Sequence, residues 1–258
     1  MAESQEQSGN NWSPPSVGGW RAEVGMIAPL SGMYREWETV APEGIRFSDA
    51  VLGMKKVTPE GLREMVQVIE EEARKLTLGR KKDLICFGCT AGSFIGGPGY
   101  DEMLIEKIEK ASDTPATTTH TCVTELFKDM GIKKIALVGP YIDSIFEVQV
   151  NFLKTFGIET LAVRGLGFSG VDQYWNYYMD PYLCYRIVKE GAKAAPEADC
   201  VFATCIMSNI VPTVDILEAE IGKPVISSLS ATMYGILKKL GIPDPVYHYG
   251  QALVRPRI

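Results

Sequence analysis

Asp83-Leu-Ile-Cys-Phe-Gly-Cys89 and Asp199-Cys-Val-Phe-Ala-Thr-Cys205 follow one pattern: an aspartate, an apolar run of strand character, and a cysteine six residues after the aspartate. The flanking elements repeat as well. Val24-Gly-Met-Ile-Ala-Pro29 matches Ile135-Ala-Leu-Val-Gly-Pro140, and Pro115-Ala-Thr-Thr matches Pro224-Val-Ile-Ser. The spacing from Pro29 to Cys89 is 60 residues, and from Pro140 to Cys205 it is 65. Three elements in one order at similar spacing point to an internal duplication.

Working outward, short apolar runs alternate with helical periodicity, the mark of an α/β fold with parallel sheets. Strands are expected at 24–29, 84–88, 115–119, 135–140, 160–166, 200–204 and 224–228. Helices are expected at 59–76, 102–111, 123–130, 144–156, 181–195, 211–221 and 232–240. Thr58 and Pro59 give the first helix a cap and a favourable first turn. The result is two pseudo-symmetric lobes, each an open parallel sheet flanked by helices, with the active site between them. The first lobe takes 21–118 and 229–258, the second 119–228. Residues 1–20 are polar, have no apolar h-region and read as a disordered leader. The aromatic run Tyr174, Trp175, Tyr177, Tyr178 either walls a pocket or caps a core.

Composition narrows the class of function. The 258 residues, 46% hydrophobic and 22% charged, are ordinary for a soluble globular protein. A net charge of −6 argues against a nucleic-acid partner. No apolar stretch approaches the ~20 residues of a membrane span. With no export signal, the six cysteines are expected as reduced thiols in a cytoplasmic protein. Cys86-Phe-Gly-Cys89 lies on a strand pattern whose alternation separates the two thiols, so no metal site is expected. Neither composition nor charge argues against a homo-oligomer.

In open parallel sheets, ligands bind beyond the carboxyl ends of strands. Pro29, Cys89, Pro140 and Cys205 stand at such ends. One thiol from each half, set across a cleft, is an acid/base pair for carbon chemistry. A thiolate and a thiol on opposite faces of a carbon racemise it. A thiolate that adds to a double bond allows rotation and isomerisation. Both routes build carboxylate or enediolate charge that amides and hydroxyls must hold. Thr90, the amides around Ala91 and Ile206, Ser208 and Asn209 are the neighbouring donors. Cys86, Cys122, Cys184 and Cys200 read as packing. Gly96-Gly-Pro-Gly99 lacks the Lys-Ser/Thr of a phosphate loop and reads as a turn into a helix. His120 and His248 are the only histidines; a Cys-His hydrolase built on His120 is weighed and set aside.

These residues resemble the aspartate/glutamate racemase superfamily, in the branch of maleate cis-trans isomerase and arylmalonate decarboxylase. The likeness runs from about Val24 to Gly241. It is carried by Val57-Thr-Pro-Glu-Gly61, Cys89 with Gly96-Gly-Pro-Gly99, Pro140-Tyr141, Cys205 and Pro224-Val-Ile-Ser-Ser228. The resemblance implies no metal, no organic cofactor and a site between lobes. It implies Cys89 and Cys205 as the catalytic pair, with Cys89 attacking and Cys205 supplying a proton. Thr90 and Tyr141 would hold the substrate carboxylate, and Val57 would line the pocket. Pro29 and Ser31 belong to the turn after the first strand, which in maleate isomerases reads Pro-Ser-Ser-Asn. Here Gly32 replaces the asparagine, Ala91 replaces a hydroxyl and Ile206 replaces a glycine. Met33, Tyr34 and Trp37 near that turn would suit a larger, less polar acid. Having both thiols favours an isomerase or racemase. The alternatives are an arylmalonate-type decarboxylase using Cys205 and a non-catalytic cytosolic carboxylate-binding protein.

Overall fold

The structure is a computed structural model that describes residues 19–32 and 34–256. The leader expected at 1–20 falls almost wholly outside these residues, as does Met33. Two four-stranded sheets carry the fold. The first has the order β2-β1-β3-β4, from β1 (Ala22–Ala28), β2 (Ile45–Val51), β3 (Leu84–Phe87) and β4 (Ala116–Thr118). The second has the order β6-β5-β7-β8, from β5 (Lys134–Tyr141), β6 (Glu159–Phe168), β7 (Cys200–Ala203) and β8 (Val225–Ser227). Every pairing is parallel, and the two orders are the same once the repeat is overlaid.

The helices of the first half are α1 (Tyr34–Val40), α2 (Pro59–Met65), α3 (Ile69–Leu76), α4 (Thr90–Phe94) and α5 (Tyr100–Ser112). Then come α6 (Thr119–Met130), α7 (Asp143–Thr155), α8 (Val171–Met179), α9 (Pro181–Ala194) and α10 (Val214–Ile221). The chain closes with α11 (Ser228–Lys239) and α12 (Gln251–Val254).

The sheets form where the sequence is apolar on both faces. All residues of β1, β3 and β7 are buried, as parallel strands covered on both sides require. The two repeat aspartates are register pins. Asp83 accepts the Glu23 amide at the start of β1 (2.7 Å), and Asp199 accepts the Lys134 amide at the start of β5 (2.8 Å). They sit at the ends of the sheets away from the cysteines, so the shared spacing records a shared strand rather than shared chemistry.

Symmetry continues at the seam between halves. Thr118 caps α6 through the Thr121 amide, and Ser227 caps α11 through the Ser230 amide. The two helices lie side by side, with Thr232 Oγ1 donating to Thr119 Oγ1 at 3.2 Å. Phe127 of α6 reaches Phe202 of β7, edge to face, at 5.3 Å between centroids. One apolar core therefore runs through both sheets, from Ile27 and Phe87 to Leu137 and Phe202. Among the described residues, no helix is long and apolar enough to cross a membrane.

Some local expectations change. The helix expected over 59–76 is broken by a 3₁₀ turn, Val66–Val68, and a second 3₁₀ turn, Val211–Thr213, precedes α10. β5 runs one residue past Pro140, the expected end of the strand, and finishes at Tyr141. The aromatic run at 171–180 is a helix, α8. The strand through Cys86 stops at Phe87, so Cys89 is not on a strand at all.

Candidate active site

Cys89 caps α4. Its backbone is extended (φ −138°, ψ 107°), and its Sγ accepts the Gly92 amide at 3.4 Å. The first turn is fastened from within by Ser93, whose Oγ donates to the carbonyls of Cys89 (2.9 Å) and Thr90 (2.8 Å). Helical bonding leaves the amides of Thr90 and Ala91 without intrahelical acceptors, as at any helix start. The Thr90 hydroxyl is fully buried and has no hydrogen-bond partner among the described residues. A buried hydroxyl left so is a donor prepared for something else.

Cys205 stands in the matching place after β7. Its φ is +88°, a left-handed conformation that a side chain adopts only under constraint, at about 1–3 kcal/mol. The Thr204 amide fixes the turn by donating to the Val138 carbonyl of β5 (2.8 Å). The Met207 amide and the Tyr141 hydroxyl both favour the anionic form of the Cys205 sulfur. Each cysteine retains 5% exposure. Cys89 is one of the neighbours whose charge raises the Cys205 thiol.

Burial pushes both thiols up to about 12, while the Gly92 amide at Cys89, and the Met207 amide and Tyr141 hydroxyl at Cys205, pull the other way. The free site therefore holds two protonated sulfurs at neutral pH. Its amide and phenol donors are aimed where a sulfur anion would form.

Of the other expected site residues, Tyr141 ends β5, is buried and feels both sulfurs. Ala91 and Ile206 are buried as direct neighbours of the two cysteines in the chain. Val57 is buried, and its amide donates to the Ser169 carbonyl ahead of α8 at 3.0 Å. Pro29 is buried at the end of β1, and its carbonyl takes the Met54 amide. Ser31 is exposed in the turn beyond. Ser208 is buried and shares a 3.0 Å hydrogen bond with Tyr177. A cavity of ≈380 Å³ is lined by Ile206, Ser208, Asn209 and part of α1, and by neither cysteine. A larger one, ≈690 Å³, lies by Asp199 at the far end of the second sheet and is lined by neither catalytic candidate.

Two residues gain or lose importance. His120 is not a base for either thiol: its ring packs between Phe94 (5.2 Å) and Phe152 (4.5 Å), and burial lowers it to about 3. Tyr174, read from sequence only as part of an aromatic cluster, feels both sulfurs. Cys86, Cys184 and Cys200 are buried with their thiols pushed up, which fits packing. Among the described residues, no group of three or more His, Cys, Asp or Glu side chains could hold a metal ion.

Comparison with known proteins places this geometry. The arylmalonate decarboxylase family model matches residues 24–253. Arylmalonate decarboxylase of Bordetella bronchiseptica is 26% identical over 219 residues, covering 84% of this chain and 90% of the relative. Maleate isomerase of Geobacillus stearothermophilus is 25% identical over 245 residues, covering 89% and 96%. A solved maleate isomerase of Pseudomonas putida S16 with maleate superposes with a TM-score of 0.84 at 25% identity, covering 92% of this chain and 99% of that one. With the match running from β1 to α12, through both cysteine turns, the chain belongs to the arylmalonate decarboxylase family.

Proposed function

We propose that this enzyme is a cofactor-independent isomerase or racemase of small carboxylic acids, with Cys89 and Cys205 as its catalytic pair. The observation that supports the reading is the matching placement of the two cysteines, each in the turn after the equivalent strand of its half, with the Gly92 amide at Cys89 and the Met207 amide and Tyr141 hydroxyl favouring a sulfur anion at Cys205. The arylmalonate decarboxylase relative has a single carbon–carbon cleavage in its name, and the maleate isomerase relatives a cis–trans change. Two thiols suit the second kind of chemistry.

The steps follow from the donors. In the fraction of enzyme whose Cys89 has lost its proton to solvent, the Cys89 thiolate adds to one carbon of an activated double bond, and the electron pair moves into the adjoining carboxylate as an enediolate. Thr90 Oγ1 and the free amides at the head of α4 face that charge. The Cys205 thiol protonates the neighbouring carbon, the new single bond rotates, and reversal of both steps releases the isomer. On a saturated acid the same pair removes a proton from one face and returns one to the other. Tyr141 holds Cys205 through either half of the exchange.

The lobes would divide at 118/119 and 228/229, with α6 and α11 exchanged across the seam. Thr90, Ala91, Tyr141, Ile206, Val57, Pro29 and Ser31 would line the substrate. A cytoplasmic location and a homo-oligomer, without nucleic acid, complete the proposal. The test is a panel of maleate, phenylmalonate and single enantiomers of 2-phenylpropionate in heavy water, followed by NMR. Isomerised or deuterated product that requires both thiols supports the proposal. Carbon dioxide release that survives Cys89→Ser indicates the decarboxylase instead, and binding without exchange indicates a carboxylate binder.

A further inference from the structure

Tyr174 sits on α8, which is clasped to the first half of the chain. Gln173 Oε1 accepts the amides of Ser169 (3.1 Å) and Gly170 (3.0 Å). Lys56 bridges Gly170, and the Val57 amide donates to the Ser169 carbonyl at 3.0 Å. On the next residue, Trp175 lies over Gly32, where an added Cβ would come within 3.2 Å of the indole. The clasp leaves Tyr174 only 1% exposed. Its ring centroid is 6.2 Å from that of Tyr141, and its hydroxyl donates to the Phe168 carbonyl at 3.2 Å. Phe168 pairs with Tyr141 across β5 and β6, so both phenols are held at the carboxyl ends of these two strands, and both are raised by the two sulfurs.

A carboxylate taken into so buried a place needs several donors. Thr90 and the head of α4 supply them on the Cys89 side. The Tyr141 hydroxyl favours the Cys205 anion. The turn after β1 offers no amide side chain at Gly32, and Trp175 occupies the space above it. Tyr174 carries a buried hydroxyl, its ring lies 6.2 Å from that of Tyr141, and both sulfurs raise it. A phenol rotates its single proton about the C–O bond, so it can leave the Phe168 carbonyl for another acceptor without moving its ring.

We propose that Tyr174 is a substrate-contacting residue that sets specificity, its hydroxyl taking a carboxylate oxygen of the acid bound between Cys89 and Cys205. This rests on the function proposed above. The test titrates maleate and phenylacetate, with phenylacetamide as neutral control, into Cys205→Ser alone and combined with Tyr174→Phe or Trp175→Phe. Loss of one hydrogen bond to a charged group is worth about 10- to 100-fold in affinity. Tyr174→Phe should weaken the acids by that factor and leave the amide nearly unchanged. Trp175→Phe, which keeps every hydroxyl, should weaken the acids by less. Acid affinity within about twofold of the parent, equal loss for acid and amide, or an equal effect of Trp175→Phe overturns the proposal. Failure of the parent to bind either acid overturns the underlying function as well, and is seen before any substitution in α8 is made.

Discussion

Replacing His120 by leucine should remove a pH dependence of stability that the wild type carries. His120 opens α6 with no exposure, and neither ring nitrogen has a hydrogen-bond partner among the described residues. Its amide donates to Ser93 Oγ at 3.3 Å, and Ser93 fastens the turn that holds Cys89. Burial lowers the imidazole from 6.5 to about 3. Below pH 6.5 the unfolded chain therefore binds a proton that the folded chain refuses. Stability present above that pH is lost as pH falls toward about 3, with a slope of about 1.4 kcal/mol per pH unit. Between about pH 8 and about pH 5 the accumulated loss is about 2 kcal/mol. The exposed His248 is common to both proteins and cancels. Leucine gives up two edge-to-face ring contacts, about 0.5–1.5 kcal/mol each, but also removes two unpartnered polar atoms at about 1–3 kcal/mol each. At about pH 8 the variant should thus be no less stable than the wild type. Urea unfolding at a series of pH values measures both curves. Curves that stay parallel from about pH 8 to about pH 5 refute the reasoning, because they mean that His120 is either solvated or protonated in the folded state.

Other outcomes follow from the sulfurs and their donors. With both thiols raised to about 12, the thiolate fraction grows about tenfold per pH unit, so kcat/KM should climb from about pH 7 to about pH 10 without levelling; a plateau near neutrality contradicts those environments. Tyr141→Phe removes the phenol donor at Cys205 and should lower kcat about 10- to 100-fold and slow alkylation of that thiol by iodoacetamide; unchanged alkylation denies the contact. Gly92→Ala should reduce both stability, by about 1–3 kcal/mol, and turnover, because its Cβ would lie 2.7 Å from the Phe87 ring and 3.0 Å from Cys89 Sγ; calorimetry and kinetics on a soluble variant check both effects.

The repeat and most strands were legible because fully buried parallel strands are written as unbroken apolar runs. β2 was not. It is an edge strand, with Ile45 and Phe47 buried and Arg46 exposed, and Ser48-Asp49 interrupt its apolar face. The 59–76 helix kept its apolar face, yet β-branched Val66 and Val68 flank the point where it tightens into a 3₁₀ turn. α4 is five residues long and capped by a cysteine, a residue outside the usual N-cap set, so neither periodicity nor capping announced it. The equivalence of Cys89 and Cys205 was readable from spacing. The left-handed backbone at Cys205 was not, since nothing in its neighbours demands it. Tyr174 gained its place from the clasp between residues 56–57 and 169–170, a contact across more than a hundred positions that local pattern cannot encode.

Whether one small molecule can touch both sulfurs at once is best measured by cross-linking with dibromoacetone at about pH 9, where more of each thiol is ionised. Digestion and mass spectrometry should recover an acetone bridge joining the peptides of Cys89 and Cys205, lost in either serine variant. Separate single adducts, or a bridge only to one of the packing cysteines, would show that the two sulfurs do not share a substrate.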